Sequence, residues 1–281
     1  MVCATWAVFL LASPPSLAND IDLNRLESID PHLRQARLDS VIKDQAMALS
    51  GPPSFPVGSL GLYEFEISVT NRMSFLHTLP EGDDATSAWD DVNPTGVANN
   101  ILWMPGLQFR KGLPFSFEVG GDIAWIGISK QFEVGGYGRV VFLDGWKKIP
   151  DVALQLGYTG YVGNEQLDMG VFELDLSVGY TVHIPSVGGR ATTFFSPFVG
   201  YSYLMAHARP TSVQVEAISP VSAWTAEAES GVDPRLYRFH RGFLGVEIRV
   251  NQLGFRISAD TTLARKAPML LAIDLSLGVR F

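Results

Sequence analysis

The sequence predicts an all-β protein, a single transmembrane antiparallel up-and-down β-barrel. Three observations predict it. The last thirteen residues alternate between apolar and polar or small side chains, the same alternation recurs along the chain, and no apolar run reaches the roughly 18 residues that a transmembrane helix needs. Successive side chains of a strand point to opposite faces, so each such segment has one apolar and one polar face. A membrane barrel needs apolar side chains outside and polar side chains inside.

The C-terminal segment, residues 269–281, shows the alternation most clearly. Its odd positions are all apolar, whereas its even positions include Asp274 and Arg280, and the chain ends on Phe281. A strand with one continuously apolar face at the very end of the chain is typical of the closing strand of a membrane barrel.

Ten segments alternate over a length that spans a membrane, which takes roughly 9–11 residues in a tilted strand. Eight and twelve strands are the neighbouring alternatives. Connections after even strands are short and those after odd strands include the two long ones, 72–99 and 206–238, so an even count places every long loop at one end. The ten segments are 61–71, 100–110, 115–126, 131–143, 150–161, 168–184, 193–205, 239–250, 253–263 and 269–281.

The N-terminus has the pattern of a signal peptide, residues 1–18. Trp6 to Leu11 form an apolar core, Pro14 and Pro15 interrupt it, and Ser16-Leu17-Ala18 supply small residues for cleavage. The first eight residues contain no Lys or Arg, which departs from the usual basic start, and a short buried helix is the alternative. The only cysteine, Cys3, lies in this segment, so the mature chain would have no disulfide or thiolate site.

These features together resemble the porin-like outer-membrane β-barrel superfamily of Gram-negative bacteria, over about residues 60–281. The resemblance implies an outer-membrane location, contact with outer-membrane lipid, and an assembly signal read by the barrel-assembly machinery at Leu277, Val279 and Phe281. It implies little about activity, because this architecture carries many functions.

Residues 19–56 precede the barrel domain, 57–281, and are predicted to form a periplasmic arm. Asp30-Pro31 supplies a helix start, and apolar residues follow at helical spacing, which predicts a helix over about 31–49 and then a Pro-rich linker. Two alternatives remain for this helix: a plug on or inside the periplasmic mouth, or a mobile arm. The apolar positions of the helix are Leu38, Val41, Ile42 and Leu49.

Alternation places many charged side chains in the barrel lumen, and the formal net charge of the chain is −8. Two interpretations remain. One is a structural network of ion pairs that fills the lumen, and the other is a narrow, water-filled path for ions that favours cations. The candidate lumen-lining residues are Glu64, Glu66, Glu118, Asp122, Arg139, Glu173, Asp175, Glu247, Arg249, Arg256, Asp260, Asp274 and Arg280, with Arg110 as a further basic partner.

Other chemistry has weak support in the sequence. His77, His207 and His240 fall near loops with Asp83, Asp84 and Asp233, but no spacing matches a hydrolase site, so we expect no enzyme. The acidic residues of the first long loop, including Asp90 and Asp91, are more often solvated than bound to Ca²⁺. No phosphate-binding loop, zinc-ligand spacing or dinucleotide-binding motif is present, so no cofactor is expected. The net negative charge does not suit a nucleic-acid partner, which requires a basic surface.

The leading functional hypothesis is therefore a small porin-like channel with a narrow, charged lumen. The alternative is a non-conducting barrel, a subunit of an envelope-spanning complex that binds protein partners through residues 19–56 and through the loop 206–238. That loop carries apolar residues that suit either a lid or a docking surface. An outer-membrane hydrolase is third.

Overall fold

A computed structural model describes most of the barrel and part of the N-terminal arm. The predicted signal peptide, the linker after Gly51 and most of the loop 206–238 lie outside the described residues. The described residues are 21–28, 31–51, 57–76, 87–96, 98–127, 129–142, 149–185, 192–210, 235–263 and 270–281.

Eleven strands occur in this part of the chain, and ten of them close into a ring. Each ring strand pairs antiparallel with the next, β6 pairs with β8, and β1 pairs with β11, whereas the short β7 pairs only with β8. The predicted ten-stranded up-and-down barrel is confirmed. The strands are β1 (Phe65–Phe75), β2 (Ile101–Gly112), β3 (Phe117–Ile126), β4 (Gln131–Val141), β5 (Asp151–Val162), β6 (Leu167–Gly179), β7 (Val182–Ile184), β8 (Thr193–Pro210), β9 (Arg235–Val250), β10 (Leu253–Thr262) and β11 (Leu271–Arg280).

The ring closes along a continuous register between β1 and β11, from Glu66 opposite Arg280 to Phe75 opposite Leu271. Closure leaves no unpaired sheet edge, and a membrane interior requires this because backbone groups find no water there. The C-terminal segment is therefore the closing strand, as its sequence predicts.

The two faces of the sheet have opposite character. Outward side chains such as Val69 and Leu277 are 59% and 56% exposed, although they are apolar. Inward neighbours such as Ser68 and Ser276 are polar and buried. Aromatic rings lie at both ends of the outer surface: Phe65 stacks on Phe281 with ring centroids 5.0 Å apart, and Trp103 meets Trp125 edge-on at 6.2 Å at the other end. An apolar band between two aromatic girdles is the surface of a membrane barrel.

The two mouths of the barrel differ. At one mouth β1 begins and β11 ends, and the strand connections are short; we call it the terminal mouth. The opposite mouth, which we call the long-loop mouth, has the connections 76–100 and 211–234.

Four helical segments occur among the described residues, and none is long and apolar enough to cross a membrane. The helix predicted over 31–49 is confirmed as α1 (Pro31–Leu49), preceded by a 3₁₀ turn at Leu23–Ser28. The first long connection contains α2 (Ala88–Val92), and a 3₁₀ turn at Pro114–Ser116 precedes β3.

Several strand bounds differ from the sequence prediction. Residues 61–64 form a turn in which Glu64 N–H donates to Gly61 O, so β1 begins four residues later than predicted. The predicted segment 168–184 is interrupted between β6 and β7. Strands β8 and β9 extend to Pro210 and back to Arg235, because Ala208 and Arg235 still pair beyond the apolar band. Side chains at that height no longer need to be apolar, so the alternation that marks a strand fades there.

The first test concerns close packing of the N-terminal segment against the wall. A Cβ on Gly112 would lie 2.2 Å from Gly61 O and 2.7 Å from Leu60 O, whereas a Cβ on Gly138 would meet nothing within 4 Å. We expect Gly112→Ala to lower the free energy of unfolding by about 1–3 kcal/mol, because the backbone must move. Denaturant unfolding in detergent micelles, read by heat-modifiable gel mobility, measures this. Gly138→Ala is the matched control, and equal effects of the two changes would contradict the packing.

Candidate functional site in the barrel interior

The barrel interior near the long-loop mouth is apolar and holds α1. Leu38, Val41, Ile42 and Leu49, the predicted apolar positions of the helix, are all buried there. They pack in one cluster with inward side chains of the wall. The wall residues of this cluster include Leu102, Met104, Ala124, Ile126, Tyr161, Met169, Leu204 and Ala206.

The C-terminal end of α1 is held by two arginines of the wall, one on β1 and one on β9. Arg72 of β1 donates to Gly51 O at 3.0 Å and to Met47 O at 3.2 Å. Arg241 of β9 donates to Gly51 O at 3.1 Å and to the Ser50 hydroxyl at 2.8 Å. The last carbonyl groups of a helix lack partners within the helix and carry partial negative charge, so guanidinium groups stabilise this end.

The same two arginines are also the counterions of buried carboxylates. Arg72 lies 3.1 Å from Asp260 and 3.8 Å from Asp274. Arg241, fully buried, lies 3.2 Å from Glu173, 3.7 Å from Asp175 and 3.8 Å from Asp260. We call this group of six residues the latch. It joins the end of the helix to five strands, β1, β6, β9, β10 and β11, and each charge in it is shielded from water.

A second charge network fills the interior nearer the terminal mouth. Arg110 bridges Glu66 at 2.7 Å and Glu118 at 3.9 Å, and Arg139 lies 3.3 Å from Glu118. Leu60 N–H donates to Glu118, so the segment before β1 belongs to the same network.

The described N-terminal residues that precede β1 also pack inside the barrel. Val57 is 2% exposed and packs with four inward side chains, Val141, Ala153, Phe198 and Phe243. Gly51 at the latch and Leu60 before β1 likewise bond to inward side chains of the wall.

Two small cavities lie beside these groups in the part of the chain that the structure describes. A cavity of about 20 Å³ lies beside Gly51, Asp122, Tyr137 and Glu173, and another of about 10 Å³ lies beside Met47 and Asp260. A single water molecule needs about 10–15 Å³ of such volume. Neither cavity holds more than one or two waters.

Twelve of the thirteen predicted lumen residues lie on strands and on the inward face, including Asp122, Glu247 and Asp274. Glu64 is the exception, because it precedes β1 and its side chain is 46% exposed, 3.8 Å from Arg280. Arg249 and Arg280 lie close to the terminal mouth, and the Arg249 guanidinium lies 4.6 Å from the centroid of the Phe194 ring. Arg256 donates to Gln108 at 3.1 Å.

The sequence analysis missed the two arginines of the latch. Arg72 lies in the predicted connection 72–99, because the first predicted strand ends at residue 71. Arg241 lies where the alternation of apolar and polar residues is irregular. Arg72 is six residues after Glu66, and Arg241 is six residues before Glu247. Because side chains alternate faces every residue, both arginines share the inward face of these carboxylates, and extending the two strands would have found them. Glu133 and Tyr137 are further buried inward residues that were not predicted.

The start of the described arm lies at the long-loop mouth. Asp22 N–H donates to Val92 O at 2.9 Å, and Leu23 N–H donates to the Gln166 side chain at 2.6 Å. The side chain of Asn164, which like Gln166 lies between β5 and β6, donates to Ile21 O at 3.1 Å.

The arm therefore occupies the barrel interior, as the plug alternative predicts, whereas its periplasmic location stays a prediction. Its described residues lie within the barrel and enter it from the mouth with the long loops. The physical reason is the lining: the apolar stripe of α1 needs apolar partners, and the larger apolar cluster of the wall lies in the half of the interior near this mouth.

The short helix α2 closes the long-loop mouth over α1. Trp89 is 1% exposed and its indole N–H donates to Asp44 at 2.8 Å, while Arg37 lies 3.3 Å from Asp91. Asp90 caps α2 together with Ser87. Burial raises the pKa of Asp90, but hydrogen bonds from the N–H groups of Ala98 and Ser87 and from the Ser87 hydroxyl outweigh it and lower that pKa below its ordinary value.

The roles of Asp90 and Asp91 are thus capping and ion pairing. Within the described ranges no group of three or more His, Cys, Asp or Glu is arranged to hold a metal. The other acidic residues of the proposed Ca²⁺ cluster, Asp83 and Asp84 among them, lie outside the described residues, as do His77, Asp233 and the apolar part of the loop 206–238.

His183, His207 and His240 lie outside the packed interior of the barrel. His207 and His240 are on the outward face, where His240 contacts Tyr201 and Tyr203 and His207 stacks on Tyr158. His183 packs on Phe194 near the terminal mouth. None of these ring contacts brings a serine or carboxylate to an imidazole.

No protein-family model matches the chain, and no curated protein matches its sequence. Solved structures do match. The N-terminal β-barrel domain of Pseudomonas aeruginosa OprF is 14% identical, with 79% of this chain and 100% of that chain covered and a TM-score of 0.30. The KdgM porin is 6% identical, with 76% of this chain and 99% of that chain covered and a TM-score of 0.32. LpxR from Salmonella typhimurium is 11% identical, with 77% of this chain and 99% of that chain covered and a TM-score of 0.37. At these identities the likeness concerns the fold alone.

The second test concerns the latch. Arg241→Met leaves three buried carboxylates without this counterion, so we expect the free energy of unfolding to fall by about 3–5 kcal/mol. Lys43→Met is the matched control, since Lys43 lies on α1 but is exposed, and we expect a change within about 0.5 kcal/mol. Denaturant unfolding in micelles measures both. Equal free energies of unfolding for the Arg241→Met protein and the wild type would contradict a stabilising role of the latch.

Proposed function

We propose that this outer-membrane β-barrel protein is a closed barrel that does not conduct and that presents a surface at its long-loop mouth to a partner. The observation that carries this proposal is the position of the described N-terminal residues: Ile21 and Leu26 pack at the long-loop mouth, α1 packs inside the barrel, and Val57 and Leu60 are buried before β1.

The charged lumen supports closure rather than conduction. Six inward carboxylates lie within 4 Å of Arg72, Arg110, Arg139 or Arg241, and all six are buried: Glu66, Glu118, Glu173, Asp175, Asp260 and Asp274. A conducting path needs charges that face water. A barrel of about this strand number is narrow enough for side chains to fill, and here a helix adds to them.

The same packing forms a presenting surface. The 3₁₀ turn at Leu23–Ser28, α2 and the β5–β6 connection are joined by hydrogen bonds into one surface across the mouth; Arg25 adds a bond of 3.0 Å to Pro94 O. In barrels of this class the long loops face the exterior and the short turns face the periplasm. We therefore place residues 21–28 at the cell surface, which reverses the periplasmic placement predicted for the arm.

A second candidate is a channel that opens when α1 leaves. It is favoured by one observation: the polar residues Asp44 and Gln45 are buried on α1, and the inward wall around the latch is charged, so an emptied interior would hold water. The two candidates differ in whether removal of the helix produces an ion current.

The third test concerns orientation and presentation. An epitope tag inserted between Asp20 and Ile21 should react with a membrane-impermeant antibody on intact cells, because Ile21 lies at the long-loop mouth. A tag inserted between Phe142 and Ile149, at the terminal mouth, is the control and should react only after the cells are permeabilised. Heat-modifiable gel mobility verifies that both proteins fold. The reverse labelling pattern would contradict the proposed orientation, and no labelling of the first tag on intact cells would contradict presentation.

A further inference from the structure

The outward face of β8 and β9 carries basic side chains near the long-loop mouth that the closure of the barrel does not use. We call them the basic patch: His207 and Arg209 on β8, and Arg238 and His240 on β9. Their sequence neighbours Ala206, Ala208 and Arg241 are buried in the interior, whereas Arg209, Arg238 and His240 are exposed.

The two guanidinium groups of the patch are available. In the part of the chain that the structure describes, Arg209 and Arg238 have no hydrogen-bond or ion-pair partner. Asp168 lies opposite Arg209 in the β6–β8 ladder and is exposed, but the two form no salt bridge. The patch therefore keeps an excess of positive charge.

Aromatic residues fix the imidazoles of the patch. The His240 ring lies 5.9 Å from the ring of Tyr201 and 5.5 Å from that of Tyr203, and the Tyr201 hydroxyl hydrogen-bonds to His240 Nδ1. The His207 ring is stacked on Tyr158 with 6.1 Å between centroids. Tyrosine and histidine rings with polar edges prefer the depth of lipid headgroups.

The position along the strands sets the height of the patch. Arg238 is twelve residues from Val250, the end of β9 at the terminal mouth. With a rise of about 3.3 Å per residue and a tilt of about 40°, this gives about 30 Å along the barrel axis, just above an apolar band of about 25 Å. Headgroup phosphates lie at this height.

On β6, which pairs with β8, the outward residue at this end is the exposed Asp168. On several other strands the outward side chains at this end are apolar and exposed. These side chains are Phe75, Ile101, Val162, Leu263 and Leu271.

We propose that the basic patch binds the phosphate groups of an anionic lipid headgroup in the outer leaflet. An Arg fork binds phosphate oxygens through charge-assisted hydrogen bonds, and Arg238 and Arg209 would each engage one group while the tyrosine hydroxyls donate to the same headgroup. The choice of leaflet rests on the proposed orientation of the barrel; the phosphate contact does not.

The experiment is native mass spectrometry of the mature protein in detergent, titrated with bis-phosphorylated lipid A and with the same lipid after removal of its phosphates. We expect the wild type to bind the phosphorylated lipid about ten-fold more tightly, and the double variant Arg209→Gln/Arg238→Gln to lose this preference. Lys111→Gln is the control, because Lys111 is a cation near the terminal mouth. It should keep the preference.

Equal binding of the two lipids by the wild type, or equal loss in the control and in the double variant, would overturn the proposal. Competition by millimolar inorganic phosphate would show a site for free phosphate instead of a lipid headgroup. Reversed labelling in the tag experiment, with the lipid preference retained, would overturn the choice of leaflet alone.

Discussion

Charged side chains inside a barrel too narrow for bulk water must be paired, and this constraint governs the structure. A carboxylate or guanidinium buried without a counterion would cost several kcal/mol. Arg241 meets it by contacting Glu173, Asp175 and Asp260 within 4 Å, and Arg72 by contacting Asp260 and Asp274. Both arginines also donate to carbonyl groups at the end of α1, so the pairing of the wall and the position of the helix depend on each other.

This dependence explains why the interior has two unlike halves. Near the long-loop mouth the wall is apolar and the helix supplies apolar side chains. Nearer the terminal mouth the wall carries the second charge network beside a small apolar cluster around Val57. The apolar residues of α1 and of the wall form one buried cluster, so the arm is part of the folded core. Removal of the helix would expose this cluster to water, and this favours a permanent structural element over a mobile gate.

The barrel could be predicted from the sequence because its period is local: two residues decide which face a side chain takes, so Glu66, Glu118 and Asp274 were placed inward correctly. The limits of β8 and β9 could not be predicted in this way, since Arg235 pairs with Ala208 and Pro210 with Leu167 above the apolar band, where the membrane does not select apolar residues. The latch was not predictable from periodicity alone. It joins residues 188 apart in the chain, Arg72 and Asp260, and the position of α1 depends on such long-range contacts.

The most direct measurement is single-channel conductance in a planar bilayer, of the refolded mature chain and of the chain without residues 19–56. The closed-barrel account predicts no steady current from the intact chain. Current from the shortened barrel, verified as folded by heat-modifiable gel mobility, would identify the segment as the barrier and support the channel that opens when α1 leaves. Steady current from the intact chain, with a reversal potential that shows cation preference, would contradict the account and return the protein to the porin-like hypothesis.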